Sequence, residues 1–137
     1  MSAPSPSVEL VVRVRYAETD QMGVAHHANY LVWFEAARSE FCRAHGIDYP
    51  QMEQRGFLLP IVEVHCRYVA PAAYDEEVTV ACHVIAAKRR TLRMGYRVSR
   101  GDTVLATGET YQLVIGPDRR PRALPDDLYA LFAGSNS

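Results

Sequence analysis

No apolar run in this sequence is long enough to span a bilayer, and the N-terminus MSAPSPSVEL carries neither a basic segment nor an apolar one. The expectation is a cytoplasmic protein with no signal peptide and no membrane insertion. Cysteine is scarce. Cys42, Cys66 and Cys82 are far apart, odd in number and form no CxxC, so they read as buried thiols in a reducing compartment. Charge of either sign is not in excess: the net value is −1, which argues against a broad nucleic-acid or membrane footprint. No internal repeat and no interdomain linker is visible.

What is present fits one soluble globular domain: 137 residues, 48% apolar and 23% charged. Residues 1–7 are rich in Ser and Pro and read as a disordered tail, residues 8–133 as the folded domain, and 134–137 as a second tail. From Val8 the pattern alternates: Val8, Leu10, Val12, Val14 and Tyr16 share one face. A helix is expected from about Asn29 to His45, with Asn29 as N-cap and Gly46 just past the C-terminus. Its stripe is Tyr30, Phe34, Ala37, Phe41 and Ala44. Leu31, Val32, Trp33 and Ala36 widen it, which predicts burial on most sides. A short helical turn is expected around Gln51 to Gln54. Period-two segments follow at about 58–69, 76–87, 91–99 and 103–115, then a short helix from Asp126 to Phe132. Strand, buried helix and four sequential strands predict an α+β domain: a five-stranded antiparallel sheet curled around one long helix.

The stretch ETDQMGVAHHANY, Glu18 to Tyr30, concentrates the chemistry. It places a carboxylate, Asp20, before a turn at Gly23, with His26 and His27 at the mouth of the helix. A helix start offers free N–H groups and the positive end of a dipole. A carboxylate opposite such donors can attack a carbonyl or activate a water, while the donors stabilise the oxyanion. Glycine at 23 lets the loop turn so that both flank one carbonyl. The plainer reading of Asp20 is a turn residue. His26 and His27 are neighbours that do not face the same way, and no third ligand stands at a usual spacing, so no metal is expected.

VRVRYAETDQMGVAHHANYLVWFEAARSEF, Val12 to Phe41, resembles the hotdog-fold acyl-CoA thioesterases, most closely the 4-hydroxybenzoyl-CoA thioesterase group with its Tol-Pal-associated bacterial members. RYVAPAAYDEEV, RRTLRMGYRV and RPRALP extend the likeness, more loosely, over nearly the whole folded chain. The resemblance implies that Asp20 is the catalytic carboxylate, with His27 as a second polar residue of the site. Tyr16, Gly23 and Tyr30 are then expected beside the substrate. His26 stands where many relatives carry Tyr, and no chemistry is assigned to it. Glu35, on the helix, is the fallback carboxylate.

Lys88-Arg89-Arg90 sits at a strand-to-strand turn. It reads either as a solvated turn or as a contact to coenzyme A phosphates, with Thr91 beside it and Arg120 and Arg122 as weaker candidates. The implied reaction is hydrolysis of an acyl-CoA to a carboxylic acid and free coenzyme A, with no cofactor beyond the substrate's own coenzyme A. The implied assembly is a homo-oligomer, a dimer or dimer of dimers, with sheets joined edge to edge. The other readings are a non-catalytic acyl-CoA or acyl-carrier-protein binding module, which has no need of Asp20, and a hotdog dehydratase, whose hydratase motif is not visible. The acyl group is not legible.

Overall fold

Five alternating segments and one long apolar stripe can bury their apolar faces only against each other. The computed structural model describes residues 6–134 and has that arrangement. β1 (Ser7–Arg13) runs through a 3-10 turn at Tyr16–Glu18 and a loop into α1 (Asn29–Ala44). Then come α2 (Tyr49–Gln54), β2 (Ile61–Tyr68), β3 (Glu77–Ala87), β4 (Thr91–Arg100), β5 (Thr103–Leu113) and α3 (Asp126–Ala133). The sheet is antiparallel throughout, in the order β1-β3-β4-β5-β2. Residues 1–5 and 135–137 of the expected tails lie outside the described residues. Ser7 belongs to β1, and Gly134 caps α3 with φ 72°.

Sequential pairing holds for β3, β4 and β5 but not for β2, which lies at the far edge beside β5. The link between β2 and β3 is anchored where Val69 N–H and Ala70 N–H both donate to Leu105 C=O. It then delivers β3 next to β1, with Glu77 opposite Arg13.

α1 lies on the face formed by Leu92, Met94, Tyr96 and Val98 of β4 and Ala106 and Thr110 of β5, all buried. Tyr30, Trp33, Phe34, Ala37 and Phe41 form its buried side, and an aromatic of this kind contributes about 1.5–3 kcal/mol when fully buried. The expectation of burial nearly all round needs correction. Leu31 and Val32 are 39% and 50% exposed, because they lie off the buried side of the helix and nothing among the described residues covers them. Asn29 is not the N-cap either. It is the first helical residue, and its Nδ2 donates to Glu18 C=O at 2.8 Å. Tyr16 leaves the β1 stripe, since the chain has already turned into the 3-10 segment, and it is 77% exposed.

The close approach of α1 to the sheet needs a glycine. A Cβ on Gly108 would lie 2.5 Å from the Phe34 ring and 2.8 Å from His65 C=O. Phe34 in turn stacks on Tyr96 at 4.4 Å. Gly108→Ala is therefore expected to lower unfolding free energy by about 1–3 kcal/mol through overpacking, read from urea denaturation of native and variant.

Candidate active site

Asp20 sits in a tight loop built by its own backbone. Asp20 N–H donates to Val24 C=O at 2.9 Å and Gly23 N–H to Asp20 C=O at 3.0 Å. Gly23 has φ 78°, which a side chain would strain. The Asp20 carboxylate is half-buried, and its Oδ1 accepts from Met22 N–H at 2.8 Å. Its second oxygen has no partner among the described residues. The loop is clamped to the β2–β3 link: Ala25 N–H donates to Ala72 C=O at 2.7 Å and Tyr74 N–H to Gly23 C=O at 3.1 Å.

The helix mouth lies directly after this loop. Asn29 N–H donates to His26 C=O at 2.9 Å and Tyr30 N–H to His27 C=O at 3.3 Å. The Ala28 N–H is used by His26 Nδ1 at 3.3 Å. The His27 N–H donates to nothing among the described residues. An N–H left free at a helix mouth is the kind of donor that can hold a developing oxyanion. The His27 side chain is exposed, tilted over the His26 ring at 4.2 Å.

Two residues that sequence reasoning left without a role hold this geometry. Glu18 is only 4% exposed. Its Oε1 accepts from Arg15 N–H at 2.8 Å and its Oε2 from Trp33 Nε1–H at 3.0 Å, which ties the loop to the helix. Burial pushes its pKa up, but the Arg15 and Trp33 hydrogen bonds and the Arg15 guanidinium outweigh that and hold the carboxyl below its usual range. Tyr68 is the second. Its OH donates to His27 C=O at 2.8 Å and so fixes the helix mouth to β2. Burial, then the Cys66 thiol, pushes this phenol up to about 12, so it keeps its proton and donates. The one signal for Glu18 was its place at the start of the motif, and for Tyr68 its place in the looser stretch RYVAPAAYDEEV.

Asp20 and Gly23 share one hydrogen-bonded loop, His27 follows it at the helix mouth, and the other candidates lie elsewhere. Tyr16 is exposed beside them, edge-on to Tyr74 at 5.6 Å. Tyr30 is 3% exposed and packs on Trp33 and Tyr68, so it is a core residue of the helix mouth rather than an open contact surface. Arg89, Arg90 and Thr91 lie at the opposite end of the sheet. β1 ends beside the start of β3, and the Lys88–Arg90 turn follows the end of β3, about 30 Å further at some 3.3 Å per residue. Arg89 there pairs with Asp126 at 2.7 Å. Arg122 is also committed, stacking on Phe57 and donating to Gly56 C=O at 2.7 Å. Glu35 is exposed and opens on a different space, a cavity of about 840 Å3 between α1 and the sheet. Among the described residues no group of three His, Cys, Asp or Glu side chains could hold a metal ion, and no helix is long and apolar enough to cross a membrane.

The family model described as "Thioesterase-like superfamily" matches residues 14–132. The acyl-CoA thioester hydrolase YbgC of Escherichia coli is 28% identical over 123 residues, covering 88% of this chain and 92% of that protein. The crystal structure of protein TT1821 from Thermus thermophilus is 39% identical, covers 92% of this chain and 97% of that one, and superposes with a TM-score of 0.86. The DHNA-CoA thioesterase of Staphylococcus aureus, at 29% identity, covers 93% of this chain and 89% of its own with the same TM-score of 0.86. These structures share the helix-on-sheet hotdog architecture described above.

Proposed function

The chain belongs to the thioesterase-like superfamily, and we propose on that footing that it hydrolyses an acyl-CoA thioester to a carboxylic acid and free coenzyme A. The observation that supports the reading is a carboxylate with an unengaged oxygen, Asp20, in the loop that leads straight into a helix mouth whose His27 N–H is also unengaged among the described residues. The thioester oxygen takes the N–H. Asp20 either attacks the carbonyl carbon or removes a proton from the attacking water. In the first route the C–S bond breaks to give an acyl–Asp20 anhydride and coenzyme A thiolate, and water then hydrolyses the anhydride and restores Asp20; in the second the activated water attacks and the thiolate is expelled directly. In either case the elements of water are added across the C–S bond, and the proton from water ends on the thiolate, which leaves as the thiol. Developing negative charge on oxygen is held by the N–H and the helix end behind it. The acid produced is released with the coenzyme, and no other group is consumed.

The active protein is an oligomer joined at β2. This strand bonds to β5 on one side only, and Ile61, Val62, Val64 and Tyr68 are 38–51% exposed on it. An open apolar edge of this length calls for a partner strand. Leu31 and Val32 of α1 add apolar surface nearby. In an antiparallel pairing of two β2 strands the ends are exchanged, so the partner's Lys88–Arg90 turn comes to the end of the sheet that holds Asp20. In that pairing Arg89, Arg90 and Thr91 of the partner subunit can serve a coenzyme bound there.

The test is thiol release from a panel of aryl-, short-chain and long-chain acyl-CoAs by the native protein. Turnover of any member supports hydrolysis. Tight binding with no thiol released from any of them replaces this reading with a binding module.

A further inference from the structure

α1 begins without a capping side chain of its own. Ala28 stands at the N-cap position and has no oxygen to offer. Asn29 is already inside the first turn, with its Nδ2 on Glu18 C=O at 2.8 Å. The Ala28 N–H is met from the loop side instead, by His26 Nδ1 at 3.3 Å. A backbone N–H donates only to a bare ring nitrogen, so this bond requires a neutral imidazole with its proton on Nε2. The spacing is that of an Asx turn, in which an Asn or Asp oxygen accepts the N–H two residues on.

The bond closes a ring of backbone around His27. The His27 N–H lies within that ring, on the peptide whose carbonyl belongs to His26. The groups beside it are engaged. His26 N–H donates to Glu18 C=O at 2.8 Å, and His26 C=O accepts from Asn29 N–H at 2.9 Å. His27 C=O accepts from Tyr68 OH at 2.8 Å. Of the backbone N–H groups from His26 to Leu31, only that of His27 has no partner among the described residues. Without His26 Nδ1 the Ala28 N–H would be a second open donor, and the His27 backbone would lose one of the contacts that fix its direction.

We propose that His26 is a positioning residue for thioester hydrolysis: its Nδ1 caps the Ala28 N–H and so holds the His27 N–H as the single donor for the substrate oxygen. This rests on the thioesterase reading above. The imidazole touches no reacting atom and acts through the backbone of its neighbour.

The experiment compares native protein with His26→Phe and His26→Asn. It reads thiol release, with the acyl-CoA that the native protein turns over fastest, and hydrogen exchange of the Ala28 amide. Phenylalanine keeps a ring to stack on His27, which the imidazole does at 4.2 Å, but accepts nothing. Asparagine loses the ring and keeps an acceptor for the N–H two residues on. The side chain is exposed, so both variants are expected to fold. His26→Phe is expected to lower kcat by roughly three- to tenfold, the worth of one net hydrogen bond, with KM unchanged, and to speed Ala28 exchange by a similar factor. His26→Asn is expected to keep both near native. An unchanged kcat in His26→Phe overturns the positioning role. So does a His26→Asn as slow as His26→Phe, which would place the effect in the ring rather than in its acceptor. Ala28 exchange that is the same in native protein and His26→Phe overturns the cap itself and leaves hydrolysis standing. With no thiol released from any acyl-CoA by native protein, hydrolysis falls, and the positioning role falls with it whatever the exchange rates show.

Discussion

Asp20→Asn is expected to lower kcat for thioester hydrolysis by about 10²–10⁴-fold while acyl-CoA binding is retained. The amide is isosteric, and its oxygen can still accept the Met22 N–H that shapes the loop. What is lost is the negative charge, and with it both the nucleophile and the base. His27→Ala separates side chain from backbone in the same assay. In the proposed mechanism the oxyanion donor is the His27 N–H, which alanine keeps, and the imidazole is exposed. The loss for His27→Ala is therefore expected to be much smaller than for Asp20→Asn. Equal losses would move the chemistry onto the ring. An unaffected Asp20→Asn, with turnover intact, would leave the enzyme and displace the site, and Glu35 would be the next residue to change.

The elements were legible because hydrophobic period reports burial directly. The α1 stripe from Tyr30 to Phe41 and the alternation of β3 and β4 from Val78 to Val98 bury the residues that the pattern marks, while Ala44 at the end of the stripe is exposed. Boundaries moved only where the backbone turned for local reasons, as at Tyr16. The pattern failed where a residue's apolar character is met outside the chain. Leu31 and Val32 look like core, and a single sequence does not say which molecule covers them. The motif at Glu18 to Tyr30 marked Asp20, Gly23 and the helix mouth because these lie within one loop. How far Arg89 to Thr91 lie from Asp20 in one chain was not legible, because it depends on strand order. Once β3 pairs with β1, the β3–β4 turn must fall at the far end. The tie from Tyr68 to the helix mouth was not legible for a related reason. It is a contact with a residue more than 40 positions away, His27.

Glu18→Gln tests how the loop is held, and a pH series makes the test specific. The native carboxylate offers one oxygen to Arg15 N–H and the other to Trp33 Nε1–H. Glutamine has a single acceptor, so its amino group must face one of these N–H donors. The expected cost is about 1–3 kcal/mol of unfolding free energy at neutral pH. Because the loop carries Asp20, a fall in kcat larger than any change in KM is expected with it. The sign of the pH dependence follows from the depressed pKa of Glu18. The folded state holds this group ionised more firmly than the unfolded chain does. Its contribution is therefore complete above the unfolded value near 4.5 and is lost as pH falls through the lower folded value. Glu76 is depressed in the same direction, first by the Ala73 N–H and also by Arg100, so the native protein loses stability in acid through both groups. Removing one carboxylate leaves the Glu76 share. Urea denaturation of native protein and variant should show the widest gap at neutral pH. The gap should narrow on acidification below the carboxylate range. A gap that stays constant with pH would mean that Glu18 acts through packing alone, and that its charge does not hold the Asp20 loop.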